Sequence, residues 1–179
     1  LECGLRPGGL RPGGNVSGGV CNTGAKPVVG SPVSELVDAL MDVERTIASL
    51  TAVRTRLLDQ LQTVSRITST EADDTMAFRS LRAEVSCALR LPERTVETLF
   101  GEARMLMRDL PATMRSLTAG EISYRHAHVM VDHAAGLDPE SLATLERLAV
   151  PQAATSTVSA FDRAARKVRE SLDLPLIHI

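Results

Sequence analysis

A repeat of apolar residues, spaced alternately by three and four positions, runs from Val33 to Val64. This spacing keeps apolar side chains on one face of a helix and is typical of the a and d positions of a coiled coil. We therefore predict a long amphipathic helix over residues 33–66, interrupted in its repeat only by Arg54. The repeat consists of Val33, Leu36, Leu40, Val43, Ile47, Leu50, Arg54, Leu57, Leu61 and Val64.

The pattern of this long helix fits two arrangements. In the first, the apolar face packs on the rest of the same chain. In the second, it forms the seam of a coiled-coil homodimer, in which Arg54 lowers stability while limiting the register. The repeat alone does not choose between them.

Shorter apolar stripes with helical spacing follow a polar, acidic stretch at 67–75, which we predict to be a linker. Pro and Gly residues separate the stripes and mark helix starts and ends. No stretch alternates with period two, so we predict an all-α fold in which the long helix precedes a compact multi-helix domain at 76–172. The predicted helices cover 76–90, 92–109, 111–119, the stretch between Ser123 and Gly136, 139–150 and 156–172.

The helix between Ser123 and Gly136 is apolar on most of its surface, which is typical of a helix enclosed by others. Ser123 is a suitable N-cap, Gly136 suits the left-handed position after the last turn, and Asp138 is a suitable N-cap for the next helix. We expect this helix at the centre of the domain. Its predicted core residues are Tyr124, Ala127 and Val131.

Composition supports expectations about the two ends of the chain and about where the protein is located in the cell. Residues 1–32 hold nine of the twelve glycines, and we predict that they are disordered. Three scattered cysteines suggest neither a disulfide framework nor a zinc site, so we expect a cytoplasmic protein, and no apolar run is long enough for a membrane span. The net charge of −2 gives no general argument for nucleic acid. Residues 173–179 look non-native, and we expect a truncated reading frame.

The stretch 84–99 has the spacing of a bacterial helix-turn-helix, with Arg94 and Thr98 as the candidate DNA contacts. Arg90 stands where the turn usually favours Gly. We expect three exposed carboxylates on the second helix, which would oppose binding to phosphates, so a structural corner is the competing interpretation. The three carboxylates are Glu93, Glu97 and Glu102.

Three histidines, His126, His128 and His133, lie on the central helix, but only His128 and Asp132 have the i, i+4 spacing that a helical metal pair needs. We expect structural histidines, with no metal and no cofactor. Cys87 lies on an apolar stripe, where a buried, inert thiol is expected. No residue is predicted to be catalytic.

The last predicted helix carries Arg163, Arg166 and Lys167 on one face. Such a face can be simply solvated, or it can contact the phosphates of duplex DNA.

Three short motifs in order carry a family resemblance: Leu-Pro-Ala-Thr at 110–113, Ala-Gly-Glu-Ile-Ser at 119–123 and His-Ala-His at 126–128. Over residues 75–172 the chain resembles the helical domain of unknown function, number 222, that precedes the nuclease in actinobacterial HNH endonuclease and mycobacterial repeat-family proteins. The resemblance implies a non-catalytic accessory domain whose partner is a missing C-terminal HNH nuclease domain. It would position the nuclease, aid DNA contact or dimerise. A helix-turn-helix regulator is the alternative.

Overall fold

The computed structural model of the protein describes residues 31–68 and 74–173, and these residues form helices with no strand among them. The all-α prediction is confirmed, including the long first helix and the compact multi-helix domain that follows it. The helices are α1 (Pro32–Thr68), α2 (Asp74–Leu89), α3 (Glu93–Arg108), α4 (Pro111–Thr118), α5 (Tyr124–Ala134), α6 (Pro139–Ala153) and α7 (Val158–Asp173).

Several predicted segments fall partly or wholly outside the described residues. The segment 1–32 enters the described part only at its last two residues, and Pro32 already begins α1. Of the predicted linker 67–75, the first two residues belong to α1, which continues to Thr68, and the last two belong to α2, which starts at Asp74. The residues between them, 69–73, lie outside the described part. Of the tail 173–179, only Asp173 is described, as the end of α7.

Helix α1 consists of an exposed first part and a packed second part. Every residue from Ser31 to Ile47 is exposed, whereas the stretch from Ala48 to Gln62 packs on α2, α3 and α4. The inward stripe consists mainly of small and polar residues and is not the predicted apolar repeat. Its buried members are Ala48, Ala52, Thr55, Leu58 and Gln62.

The end of α4 and the turn after it hold α1 against the domain. Ser49 Oγ donates to the carbonyl oxygen of Thr118 at 2.9 Å, and Arg56 Nη2 donates to Thr118 Oγ1 at 2.7 Å. Gly120 follows with a φ of +71°, and a Cβ at this position would lie 2.9 Å from the carbonyl oxygen of Arg45. Only glycine fits this combination of left-handed backbone and close helix approach.

Among the described residues, helix α5 contributes to the larger hydrophobic cluster, which also contains Phe161 of α7 and Leu145 of α6. Ala127 is fully buried there. Tyr124 and Val131 are only partly buried at the edges of the inward face. The other fully or almost fully buried apolar residues of this face are Met130 and Ala134.

The caps around α5 follow the sequence signals with one exception. Gly136 has a φ of +81°, and the Asp138 carboxylate accepts from the backbone N–H groups of Glu140 and Ser141. The Ser141 hydroxyl also donates to this carboxylate. The three hydrogen bonds lower the pKa of Asp138, and the bond from the hydroxyl contributes most. Ser123 has the N-cap backbone conformation, but its side chain makes no capping hydrogen bond.

In the last two helices, two boundaries differ from the prediction by two or more residues. Helix α6 continues to Ala153 and contains Pro151 in its last turn, whereas we expected it to end at 150. Helix α7 begins at Val158 rather than at Ser156. In the described ranges, no helix is both long enough and apolar enough to cross a membrane.

Candidate functional site

The predicted a/d repeat of α1 lies on the surface of the protein. Its nine apolar members, which we call the α1 seam, have exposed fractions from 43% at Leu61 to 71% at Leu36. An exposed apolar stripe of this length is a mark of an interaction surface, whereas single exposed apolar residues are normal. The seam consists of Val33, Leu36, Leu40, Val43, Ile47, Leu50, Leu57, Leu61 and Val64.

The flanks of the α1 seam are almost free of charge. In the heptad numbering that places Val33 at a, the e and g positions contain one ionisable residue, Glu44. Arg54, at an a position, holds its guanidinium 5.7 Å from the centroid of the Tyr124 ring. This residue therefore also contacts its own domain through a cation–π interaction. The other e and g residues are Val37, Ala39, Thr46, Thr51, Val53, Leu58, Gln60, Ser65 and Ile67.

A buried carboxylate on α3 joins two side chains of α5. Glu102 is 7% exposed and accepts a hydrogen bond from the Tyr124 hydroxyl, while His128 Nδ1 lies 2.9 Å from its other oxygen. Burial, followed by the hydrogen bond and the charge of Glu102, raises the pKa of Tyr124, so its hydroxyl stays protonated as a donor. The expectation that Glu102 is exposed on a DNA-facing surface is wrong, because Glu102 faces α5.

The other two histidines of α5 have separate partners. His126 is buried, with Nδ1 2.8 Å from Ser123 Oγ and Nε2 3.1 Å from the carbonyl oxygen of Ser156. His133 Nε2 lies 2.8 Å from Asp162 Oδ1, and this hydrogen bond is the largest cause of the lowered pKa of Asp162. Across residues 31–68 and 74–173, no three His, Cys, Asp or Glu side chains lie together as a metal site requires.

Helices α2 and α3 form the predicted two-helix corner. Arg90 has a φ of +55°, the left-handed conformation for which Gly is favoured. The candidate contacts Arg94 and Thr98 are both exposed, and Thr98 Oγ1 donates to the carbonyl oxygen of Arg94. The prediction that Cys87 is buried is wrong, since its side chain lies on the exposed face of α2.

The acidic face of α3 is partly neutralised by α2. Arg82 forms ion pairs with Glu93 at 2.9 Å and with Glu97 at 3.4 Å. Together with the burial of Glu102, these ion pairs leave less negative charge on this face than the sequence suggested.

The basic face of α7 is exposed as Arg163, Arg166 and Lys167. Arg166 also forms an ion pair with Asp162, four residues earlier, at 3.3 Å. Arg169 has a different role, because its guanidinium donates to the carbonyl oxygens of the last turn of α5, at 2.8 Å for the nearest. Such a contact stabilises a helix C-terminus.

Sequence reasoning missed a buried carboxylate on α6. Glu146 accepts from Thr113 N at 2.7 Å, from Thr113 Oγ1 at 2.8 Å and from Ala112 N at 3.2 Å. It caps the N-terminus of α4, whose own N-cap residue, Leu110, provides no side-chain oxygen. Two features of the sequence could have predicted this contact. The start of α4 has no capping side chain of its own, and Glu146 is a carboxylate next to Leu145 on the apolar stripe of α6.

Comparison with known proteins gives a family match and no closer relative. The model of the family described as Domain of unknown function (DUF222) matches residues 37–174, which includes most of α1 and all later helices. No curated protein and no solved structure matches the chain.

Proposed function

The chain belongs to the DUF222 family of domains of unknown function, and we propose that it is a non-catalytic accessory domain that pairs with a second copy of itself through the α1 seam. In the full-length protein it would hold two HNH-type nuclease domains together in the cytoplasm. The observation that carries the proposal is the exposure of all nine apolar seam residues.

The length of the α1 seam supports a helix as its partner. From Val33 to Val64 the helix rises by about 46 Å at roughly 1.5 Å per residue, and an equally long amphipathic helix covers such a stripe by knobs-into-holes packing. A second copy of the chain has the same sequence, so its α1 carries the a/d spacing that suits this packing.

The charges of α1 favour an antiparallel pairing. If two helices align at the midpoint of the α1 seam, Arg54 of each copy lies at the level of Glu44 of the other, because 44 and 54 are equidistant from that midpoint to within a residue. Opposite charges beside a coiled-coil seam specify orientation. A parallel, in-register pairing would instead place the two Arg54 side chains at the same level.

Charge introduced into the α1 seam is expected to abolish pairing. The double change Leu40→Glu and Ile47→Glu places four carboxylates at the interface of a dimer, and we expect the dimer dissociation constant to rise at least 100-fold, which is about 2.7 kcal/mol. Sedimentation velocity over a dilution series measures this constant. Leu148→Glu, which changes an exposed leucine away from the seam, is the matched control and should leave it unaltered. Equal dimer dissociation constants for the seam double variant and the Leu148→Glu control would contradict the proposal.

A second candidate function is duplex-DNA contact through α7, favoured by the exposure of its basic face. Each phosphate neutralised contributes about 0.9 to the slope of log K against log salt. Replacing all three residues with Glu is expected to flatten that slope by up to about 3 and to weaken all sequences alike. Fluorescence anisotropy with two unrelated duplexes measures both effects. The replaced residues are Arg163, Arg166 and Lys167.

The helix-turn-helix alternative makes the opposite prediction in the same assay. Changing Arg94 and Thr98 to Ala should abolish binding to one preferred sequence if α3 reads bases, and should have little effect if α7 carries the contact. Selective loss in the α3 variant, with normal binding in the α7 variant, would replace the accessory-domain proposal with a regulator.

A further inference from the structure

The helical domain borders the α1 seam on one flank only. Along the packed half of α1, the e flank includes Leu58, which is buried, and Thr51, which is partly buried. The g flank is open, because Thr46, Val53 and Gln60 are all exposed. The seam therefore has solvent on its g side and the edge of the domain on its e side.

Tyr124, at the start of α5, belongs to this edge and holds a seam residue. The Arg54 guanidinium lies 5.7 Å from the centroid of its ring, and the Tyr124 hydroxyl donates to the buried Glu102, which orients the ring. We call these two residues the Arg54–Tyr124 platform. Arg54 is exposed and forms no ion pair within the described part of the chain. The platform thus presents a positive charge beside the seam.

The exposed first part of α1 carries matching residues on the same flank. Residues 31–47, which we call the arm, are exposed throughout. The e positions of the arm are Val37, which is 50% exposed, and Glu44. Among the described residues Glu44, like Arg54, has no ion-pair partner. The arm therefore offers a carboxylate and an apolar side chain that its own domain does not cover.

Antiparallel pairing about the midpoint of the α1 seam brings the arm of one copy to the platform of the other. In this alignment each a position lies opposite a d position, so that Leu40 faces Leu57 and Arg54 faces Val43. Glu44 follows Val43 directly in the chain. Because the two e flanks of an antiparallel pair lie on the same side of the interface, Glu44 of the second copy lies on the side of the platform.

We propose that the arm of each copy docks along the helical domain of the other, where Glu44 pairs with the Arg54 guanidinium held by Tyr124. This inference rests on pairing through the α1 seam and adds the central helix α5 to the interface. The occupant is a second copy because its charge complements the platform and its seam continues into the contact. In a parallel, in-register pair, Glu44 would lie about 15 Å from the platform along the helix.

Charge reversal in the full chain tests the contact, with sedimentation velocity over a dilution series as the measurement. Glu44→Arg or Arg54→Glu places like charges together twice per dimer, and each is expected to raise the dimer dissociation constant roughly tenfold. The double variant restores opposite charges and should return the constant to within about threefold of the wild type. The matched control is Asp38→Arg, the same charge change at an exposed f position of the arm, opposite the seam.

Replacing Tyr124 with Leu tests whether the ring holds Arg54 for the contact. In this background, Glu44→Gln should change the dimer dissociation constant less than it does in the wild type, because the guanidinium no longer has a fixed position. Tyr124→Phe keeps the ring and should pair as the wild type does. Circular dichroism checks the fold of both variants, and the charge reversals decide the proposal should the Leu variant misfold.

Three results distinguish failure of the arm contact from failure of seam pairing. Equal effects of Glu44→Arg and Asp38→Arg, in a chain that still dimerises, overturn the arm contact and leave the seam standing. A double reversal that pairs no more tightly than the single reversals does the same. A wild-type chain that stays monomeric at every concentration overturns both.

Discussion

Replacing Ala127 with Asp is expected to lower the free energy of unfolding by roughly 3–5 kcal/mol, the cost of a buried charge without a partner. Ala127 is fully buried in the larger hydrophobic cluster, enclosed by the helices around α5. A loss of this size equals much of the stability of an ordinary domain. Urea unfolding followed by circular dichroism should therefore show a molten or unfolded product.

The matched control for this change is Ala143→Asp, because Ala143 is exposed near the N-terminus of α6. Ala143 lies in the second turn of α6, where the change to Asp costs at most about 0.7 kcal/mol of helix propensity, so the control should unfold only slightly below the wild-type urea concentration. Identical unfolding curves for the Ala127 variant and the wild type would show that the core lies elsewhere.

Glu146→Leu is expected to destabilise the domain by about 3 kcal/mol, because three hydrogen-bond donors at the start of α4 lose their acceptor in a region closed to water. Two of these donors belong to Thr113, which is itself fully buried. The change also removes the free-energy cost of burying a carboxylate. The expected loss of stability is therefore smaller than the sum of the costs of three buried donors without an acceptor. The unfolding midpoint in urea measures it.

A double-mutant cycle with Thr113→Val separates the cap from a simple packing defect. If the Thr113 hydroxyl and the Glu146 carboxylate act together, the losses in the free energy of unfolding of the two single variants should not add up to that of the double variant. The coupling free energy should be about 1 kcal/mol or more. Additive losses would mean that Glu146 does not stabilise α4 through Thr113. Glu146→Gln should lie between the wild type and the Leu variant, because its amide keeps one accepting oxygen.

Periodicity predicted α1 but could not show which of its faces packs on the domain. The inward stripe includes Ala48, Ala52, Thr55 and Gln62, residues that are too small or too polar to give a hydrophobic signal. The strongest apolar signal belongs to the exposed α1 seam. Hydropathy therefore identified the exposed face of α1, whereas the face that packs on the domain consists mainly of small and polar residues.

The central helix shows a second limit of sequence reasoning. Ala127 was found because α5 is short, capped and apolar, but such a helix offers several stripes, so Met130 and Ala134 could not be distinguished from Val131 as core residues. The burial of Glu102 depends on side chains of α5 that lie more than twenty residues along the chain. Spacing within one helix carries no information about partners at that separation.

The cap at α4 and the hydrogen bond between Arg104 and Gln62 also depend on long-range pairing. Glu146 meets Thr113 across 33 residues, and Gln62 meets Arg104 across 42. Local propensity predicted the helices that carry these residues. Only the packing of α6 against α4, and of α1 against α3, brings the side chains together.

Sedimentation equilibrium of the full chain, followed over a wide concentration range, tests pairing through the α1 seam most directly. The account predicts a mass approaching twice the 19.2 kDa of one chain as concentration rises, and a return to the single-chain mass when Leu40 and Ile47 carry carboxylates. A mass of 19.2 kDa at every concentration into the millimolar range would contradict it, because the exposed seam would then have no second copy as its partner.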